Sequence, residues 1–399
     1  MKVAIITYAL NVGGMEALLF SLARELRTHG IDSTFVITDS IGPWHEWPRD
    51  NGFDMLTIMP DWWESRQSHA KQLASRLRCY DILLLNHSRP AQSAIGLFPN
   101  STAVIAVLLN DIEDIYTVGL ANHHNLDRIV AVSEKVLAEG KRYGFCSDKL
   151  LNIRNGVEVF SDYPRNTGSF AKERPLNIAF IGRFQHKQKG VLFLPGIVAK
   201  AREKGLSVYL NIVGDGQDAD ALQKLLMDAS LMNSVKLHGA LPHSEAMRLL
   251  DSADLLLMPS LFEGQPIILF EAMARGVVPV ATRLVGITDN VITDGVNGFL
   301  LPPGDEDAFA ESLRQLSDMK TLERMSRSSW NCALENFSLK VMARQYKELF
   351  DACIKERQNG SAPARTGTLD VFLLGKRSSI PLVFHDIWRN AKNVFKTRS

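Results

Sequence analysis

Cysteine is scarce in this 399-residue chain: Cys79, Cys146, Cys332 and Cys353 are widely separated and form no Cys-x-x-Cys pair. That excludes a disulfide-framed fold and a cysteine-based zinc site, and it suits a reducing, cytoplasmic compartment. Long apolar runs are missing as well. The longest, Ala103 to Leu109, has a strand's length, far short of the ~20 residues that cross a bilayer. The apolar start after Lys2 breaks at Asn11-Val12-Gly13-Gly14, too early for a signal-peptide core and cleavage site. Neither sign of charge dominates. Lys plus Arg number 45 against 44 Asp plus Glu, a net +1, which argues against a nucleic-acid partner. With 46% hydrophobic and 22% charged residues, the chain is neither disordered nor a coiled-coil rod.

What is present is strand–helix alternation, and it runs through twice. Val3 to Thr7 is a short apolar strand; Glu16 to Arg27 then carries Ala17, Leu18, Phe20, Leu22, Ala23 and Leu26 at helical spacing, and Gly30 ends it. Strands are expected at Thr34–Thr38, Asp81–Leu85, Ala103–Leu109 and Arg128–Val132, with helical patterns between them. The pattern loosens at Asp162 to Ser169, which reads as a linker, and resumes with strands at Asn177–Ile181, Ser207–Val213, Val235–Leu237, Leu255–Met258 and Val278–Ala281. Continuous apolar strands alternating with helices imply parallel sheets covered on both faces. The expected fold class is therefore α/β, with two doubly wound Rossmann-like domains facing a cleft. The first spans 1–165 and the second 175–335. A helix over 338–358, which can return to the first domain, and a tail over 359–399 follow.

Two stretches of the second domain carry chemistry. Gly182-Arg183-Phe184 follows a strand, with Lys189-Gly190 shortly after. A glycine permits close backbone approach, and a guanidinium fork with an ammonium point charge suits a diphosphate; two solvated basic residues on a loop is the alternative. Further on, Pro259-Ser260-Leu261-Phe262-Glu263-Gly264-Gln265-Pro266 leads into Ile267 to Met273, which contains Glu271. A carboxylate on such a loop can hold sugar hydroxyls and one inside the helix can reach a ribose, while helix-start amides bind oxygens. Taken singly, Glu263 can equally be a cap and Glu271 a surface residue.

Together these residues resemble family 4 of the retaining glycosyltransferases, which have a GT-B fold. The resemblance rests on the Gly-Arg-x₅-Lys-Gly stretch, the Glu263/Glu271 pair, the ending Asp294 to Asp305, the loop Gly13-Gly14-Met15-Glu16, and the Ala131-Val132-Ser133-Glu134 and Asn155-Gly156-Val157 stretches. It covers roughly residues 3–350. It implies that Arg183 and Lys189 hold the donor diphosphate and that Glu263 contacts the donor sugar, beside Gly264 and Gln265. Glu271 would bind the ribose, and the Gly13-Gly14 loop would approach the phosphates. It implies positioning and electrostatic catalysis, no resident cofactor, a nucleotide-diphosphate sugar as co-substrate, and a saccharide or lipid-linked acceptor in envelope, capsule or polysaccharide synthesis. Where the family often carries an acceptor-side histidine, this chain has Asn110, and either Asn110 or His87 takes its place, His87 having a structural role as its other reading; where the family has Gly-Gly-x-Pro-Glu, the chain reads Val285-Gly286-Ile287-Thr288-Asp289. A nucleotide-sugar epimerase on the same fold and a non-catalytic nucleotide-sugar binder are the rival readings.

Several features are set aside or left open. Gly214-Asp215-Gly216 mimics a dinucleotide fingerprint, and Asp218-x-Asp220 and Asp305-x-Asp307 mimic a metal site; all the aspartates are expected at helix starts, where acids cap amides, so metal independence is expected. Trp44, Trp47, Trp62 and Trp63 cluster in the first domain, as core packing or as sugar- or membrane-facing rings. The tail carries seven basic residues against Asp370 and Asp386, a net +5. Phe384, Ile387, Trp388, Ala391, Val394 and Phe395 fall on one helical face, which suits either an anionic membrane surface or the protein's own flank.

Overall fold

The computed structural model describes residues 1–109, 111–143, 148–165, 174–375 and 378–379. The described residues form two units, Met1–Arg154 joined by the chain from Met342 onward, and Asn155–Val341.

The first unit carries strands β1 (Lys2–Thr7), β2 (Asp32–Ile37), β3 (Asp54–Thr57), β4 (Ile82–Asn86), β5 (Ala103–Leu108), β6 (Arg128–Ala131) and β7 (Leu150–Asn152). They pair in parallel in the order β3-β2-β1-β4-β5-β6-β7. The second carries β8 (Leu176–Ile181), β9 (Val208–Val213), β10 (Val235–Gly239), β11 (Leu255–Met258), β12 (Val278–Thr282) and β13 (Phe299–Leu301), in the order β10-β9-β8-β11-β12-β13. The inner strands are buried from end to end, as Ile82–Asn86, Ala103–Leu108 and Leu255–Met258 show. Helices on both faces give such strands their continuous apolar character. β3, β7 and β13 are outer strands of only three or four residues, too short for alternation alone to expose them.

One expectation needs correction. The unit boundary falls at Arg154/Asn155, ahead of the expected linker, because Tyr163 and Arg165 pack on the second unit. The Tyr163 hydroxyl meets Ser326 Oγ at 2.6 Å, and the guanidinium of Arg165 donates to Arg275 O at 3.0 Å and lies beside buried Asp254. The rest of that linker, 166–173, lies outside the described residues.

The described part of the tail takes the second of the two expected alternatives, the protein's own flank. The helix Leu339–Gln358 ends in the first unit, where Arg357 Nε donates to Asp127 Oδ1 at 2.7 Å and Arg128 Nη2 to Glu356 Oε1 at 2.5 Å. Beyond it, the chain is strapped down. Arg365 donates to Asp127 Oδ2 at 3.1 Å and Thr102 O at 2.6 Å, Thr366 N to Asn125 Oδ1 at 3.0 Å, and Asp370 N to Ser93 O at 2.9 Å. Gly96 is required there, since a Cβ would overlap Thr368 O. Asp127 is thus gripped by two arginines in the core, and Arg365 is a structural anchor rather than part of an exposed basic surface. The expected helical face from Phe384 onward lies outside the described residues.

Candidate functional site

In a doubly wound sheet the loops diverge where the strand order reverses, leaving a crevice beyond the carboxyl ends. In the second unit that point lies between β8 and β11, and the two chemical stretches are the loops on either side of it.

The loop after β8 is held open by its neighbour. Gly182 N donates to Val213 O at 3.0 Å, and Phe184 N to Asp215 O at 2.8 Å. A Cβ on Gly214 would overlap Gly182 O, and one on Gly216 would crowd Phe184 O. The Gly-x-Gly that mimics a dinucleotide fingerprint therefore lets two loops pack together. Arg183 projects from this loop, exposed, and no described acidic group pairs with it.

Lys189 ends the short helix His186–Lys189. Asp218 accepts from His186 N at 2.6 Å; it makes no side-chain cap on its own helix, which corrects the capping expectation for this residue. Gly190 follows in the left-handed region at φ +64°, where a Cβ would overlap Pro259 O. Leu261 N donates to Gln188 O at 2.8 Å. These contacts seat Lys189 on the loop after β11. Its Nζ donates to both Glu263 oxygens, at 2.7 and 2.9 Å, and Ser260 Oγ donates to Glu263 Oε1 at 2.7 Å. Glu263 is 4% exposed, so its charge is compensated by these partners. Two of the three ammonium donors are used, leaving the third for an incoming oxygen.

Gly264, Gln265 and Pro266 lead from Glu263 into the helix Ile267–Ala274, whose first turn has no side-chain cap. Both polar atoms of the Gln265 amide are buried without a partner among the described residues. Glu271 lies on that helix, with Oε1 3.3 Å from His243 Nε2. Burial pushes the Glu271 carboxyl above its ordinary range, and His243 and Arg275 oppose the shift. Ser260 and His243 escape sequence reasoning: Ser260 stood in the quoted stretch without a role, and only the fold brings His243 to Glu271.

The metal mimics are otherwise engaged. Asp305 accepts from Ala308 N at 2.9 Å as a helix cap, and Asp307 pairs with Lys200. Among the described residues no group of three His, Cys, Asp or Glu side chains is placed to hold a metal. Asp289 accepts from Gly286 N at 2.8 Å, turned into its own loop.

The first unit reverses its strand order between β1 and β4. After β1 the chain passes Tyr8 and Asn11 to Gly13, extended at φ −173° as the cap of helix Gly14–Thr28. Buried Glu16 reaches back to accept from Asn11 N at 3.2 Å, and a Cβ on Gly13 would crowd its Oε2. Gly14 has nothing within 4 Å of its Cβ position, so no packing requires it. After β4 stands His87, at the unusual φ of +51°. Its Nε2 lies 3.1 Å from Asp114 Oδ2, and Arg89 also pairs with Asp114. Its ring meets Tyr8 edge-on, and its Nδ1 is buried without a described partner. Burial pulls the His87 pKa below its ordinary value, with Asp114 acting against the shift. Asn110 lies outside the described residues. The tryptophans divide: Trp47 stacks on Phe20 at 3.7 Å and Trp44 tilts against the same ring, whereas Trp62 and Trp63 are exposed.

Residues 175–319 match the family described as "Glycosyl transferases group 1". The chain is 28% identical over 234 residues to a putative colanic acid biosynthesis glycosyltransferase, WcaL, of Escherichia coli K12, covering 57% of each chain. It is 25% identical over 238 residues to an Escherichia coli UDP-Gal:alpha-D-GlcNAc-diphosphoundecaprenol alpha-1,3-galactosyltransferase, covering 57% of this chain and 58% of that one. The chain thus spans a little over half the length of these curated relatives. Among solved structures, Anabaena HepE in complex with UDP aligns with a TM-score of 0.74 at 17% identity, over 88% of this chain and 100% of that one. That likeness runs through both α/β units. The fold is of the GT-B class.

Proposed function

We propose that this chain is a retaining, metal-independent glycosyltransferase. It moves a sugar from a nucleotide diphosphate to a saccharide or lipid-linked acceptor in envelope, capsule or exopolysaccharide synthesis, at the cytoplasmic face of the membrane. The observation that carries the reading is the charge arrangement at the β8/β11 switch point: exposed Arg183, without an acidic partner among the described residues, and the Lys189–Glu263 pair. The match over residues 175–319 brackets that site, and the UDP in HepE supports a nucleotide ligand.

In this reading Arg183 grips the diphosphate as a fork, and the third Lys189 donor meets a phosphate oxygen. Glu263 and the Gln265 amide hold the sugar hydroxyls, beside the Gly264 backbone. Glu271 accepts from the ribose, and the Gly13-Gly14 loop bears on the phosphates. The bond from the anomeric carbon to the β-phosphate oxygen breaks, and the departing diphosphate keeps the electron pair. The acceptor hydroxyl bonds to the same face of that carbon, and its proton passes to the released phosphate oxygen. Arg183 and Lys189 stabilise the charge as it develops, the contribution expected of preorganised electrostatics. In this reading either Asn110 or His87 serves the acceptor.

Nucleotide release with and without acceptor tests the reading. Stimulation by a saccharide or lipid-linked acceptor supports it. Donor isomerised without acceptor marks an epimerase, and binding without turnover marks a binding protein; either outcome overturns it.

A further inference from the structure

The loop after β4 stores backbone strain. Among the described residues only three that are not glycine take a positive φ: His87 at +51°, Asn122 at +57° and Ser230 at +53°. A left-handed backbone is costly for such residues and persists only where the surroundings hold it. Two of the three, His87 and Asn122, belong to one hydrogen-bonded network in the first unit.

His87 is followed by Ser88, whose Oγ caps the helix Arg89–Ser93 by accepting from Ala91 N at 3.3 Å. Five residues are too few for a helix to hold itself. At its start, Arg89 and His87 share Asp114, which opens the helix Glu113–Gly119. At its end, the Gln92 amide donates to Gly119 O at 3.0 Å and to Ala121 O at 2.8 Å, so the same two helices are tied again at their far ends. Asn122 Nδ2 donates to Gln92 O and Ser93 O at 3.3 and 3.4 Å, and Asn122 Oδ1 accepts from Asn125 Nδ2 at 2.6 Å.

The C-terminal strap closes this network from behind. Asp370 N donates to Ser93 O at 2.9 Å, Ser93 Oγ donates to Asp370 O, and Gly367 N donates to Gly96 O at 3.0 Å. Thr366 exchanges two hydrogen bonds with the Asn125 amide, at 3.0 and 3.2 Å. Gln92, Ser93, Asn122 and Asn125 are each at most 7% exposed, so a bond lost here leaves a buried polar group short of a partner. The strap thus fastens the far end of the helix whose near end carries His87.

We propose that the strap, residues 366–370, is a positioning element of the acceptor crevice: docked on Ser93, Gly96 and Asn125, it holds the helix Arg89–Ser93 and with it the left-handed His87 against Asp114. The proposal deepens the reading above and rests on it for the role of His87 toward the acceptor, but not for the coupling itself.

Two variants of the full chain loosen the strap in different ways. Gly96→Ala sets a Cβ 2.3 Å from Thr368 O and pushes the strap away. Ser93→Ala/Thr366→Val removes side-chain hydrogen bonds at both ends of it and keeps its shape; should Gly96→Ala not fold, this pair decides. Phe372→Ser, at a side chain 93% exposed just beyond the strap, should match wild type. The first readout is the NMR titration of the His87 ring, identified by its loss in His87→Asn. That ring faces Asp114, Arg89, Asp39 and Tyr8, none of which the variants alter. Wild-type His87 should titrate below its ordinary value, and both strap variants should move it back as burial is relieved. The second readout is kinetic. Acceptor-stimulated kcat should fall about tenfold or more, the scale of a small misplacement, while slow donor hydrolysis and calorimetric UDP affinity stay as in wild type. A lower melting temperature with the His87 titration and the ratio of acceptor-stimulated to hydrolytic turnover both unmoved would make the strap a brace and overturn the proposal, as would wild-type behaviour of both variants. If wild type shows no acceptor-stimulated turnover, the glycosyltransferase reading fails, and the His87 titration alone decides the coupling.

Discussion

At the β8/β11 switch point of the second unit the side chains are charged: Arg183 is exposed, with no acidic partner among the described residues, and Lys189 is locked to a buried Glu263. At the β1/β4 switch point of the first unit the loops offer a glycine turn, the tyrosine ring of Tyr8 and a strained histidine, with Asp114 shared between His87 and Arg89. In the proposed reading the same topology furnishes one crevice for the donor diphosphate and the other, beside a titratable ring, for the acceptor. The difference teaches that the sheet decides where a ligand sits, and that the two loops after the reversing strands decide what it is.

The sharpest way to break this contrast is to strip the charge from the second unit. Arg183→Ala should lower turnover ~100-fold or more, with an unchanged melting temperature because the side chain is exposed. Lys189→Ala should cost similar activity and also about 2–4 kcal/mol of stability, since Glu263 would be left buried without its cation. Denaturant melts with parallel rate measurements check both. Adding Glu263→Ala to Lys189→Ala should recover much of the stability and none of the activity.

The glycines sharpen the contrast from the other side. Gly190→Ala should destabilise by about 2–4 kcal/mol, because it adds both overlap and a disfavoured φ. Gly14→Ala, with open space around its Cβ, should melt as wild type. If the Gly13-Gly14 loop bears on the phosphates, its donor KM should rise several-fold.

In the first unit His87→Asn should reduce acceptor-stimulated turnover by about 100-fold while sparing slow donor hydrolysis. The His87 pKa is lowered in the folded state, so between the folded and unfolded values the unfolded chain binds more protons. Stability should then fall as pH drops below the unfolded value of about 6.5, and His87→Asn should flatten that loss. Denaturation midpoints at pH 7.5 and pH 5.5, chosen about one unit either side of that value, read it directly. The smallest expected effect is that of chelation: a chelator should leave turnover within about twofold, because Arg183 and Lys189 provide the charge that a metal would.

The α/β class and the two-unit plan are legible in the chain because buried parallel strands are continuous apolar runs. Such runs are legible at the inner strands β4, β5 and β11 but not at the short edge strands β3, β7 and β13. The positions of Arg183, Lys189, Glu263 and Glu271 follow from spacing around strand ends. That Lys189 and Glu263 bond each other could not be read, because their 74-residue separation closes only when β8 and β11 pair. For the same reason Arg365, a tail charge in the sequence, becomes the buried partner of Asp127. Composition assigns the four tryptophans of the first unit to one cluster. Packing separates them: Trp44 and Trp47 lie against Phe20, whereas Trp62 and Trp63 are exposed.

The central claim is that the β8/β11 switch point binds a nucleoside diphosphate through its phosphates. Calorimetric titration of wild type and Arg183→Ala with UDP and with uridine tests it most directly. The account predicts that wild type binds UDP at least tenfold more tightly than uridine, the scale of one charge-assisted contact of about 1.5–3 kcal/mol, and that Arg183→Ala loses most of this difference. Equal binding of UDP and uridine by wild type, or undiminished UDP binding by Arg183→Ala, would contradict it.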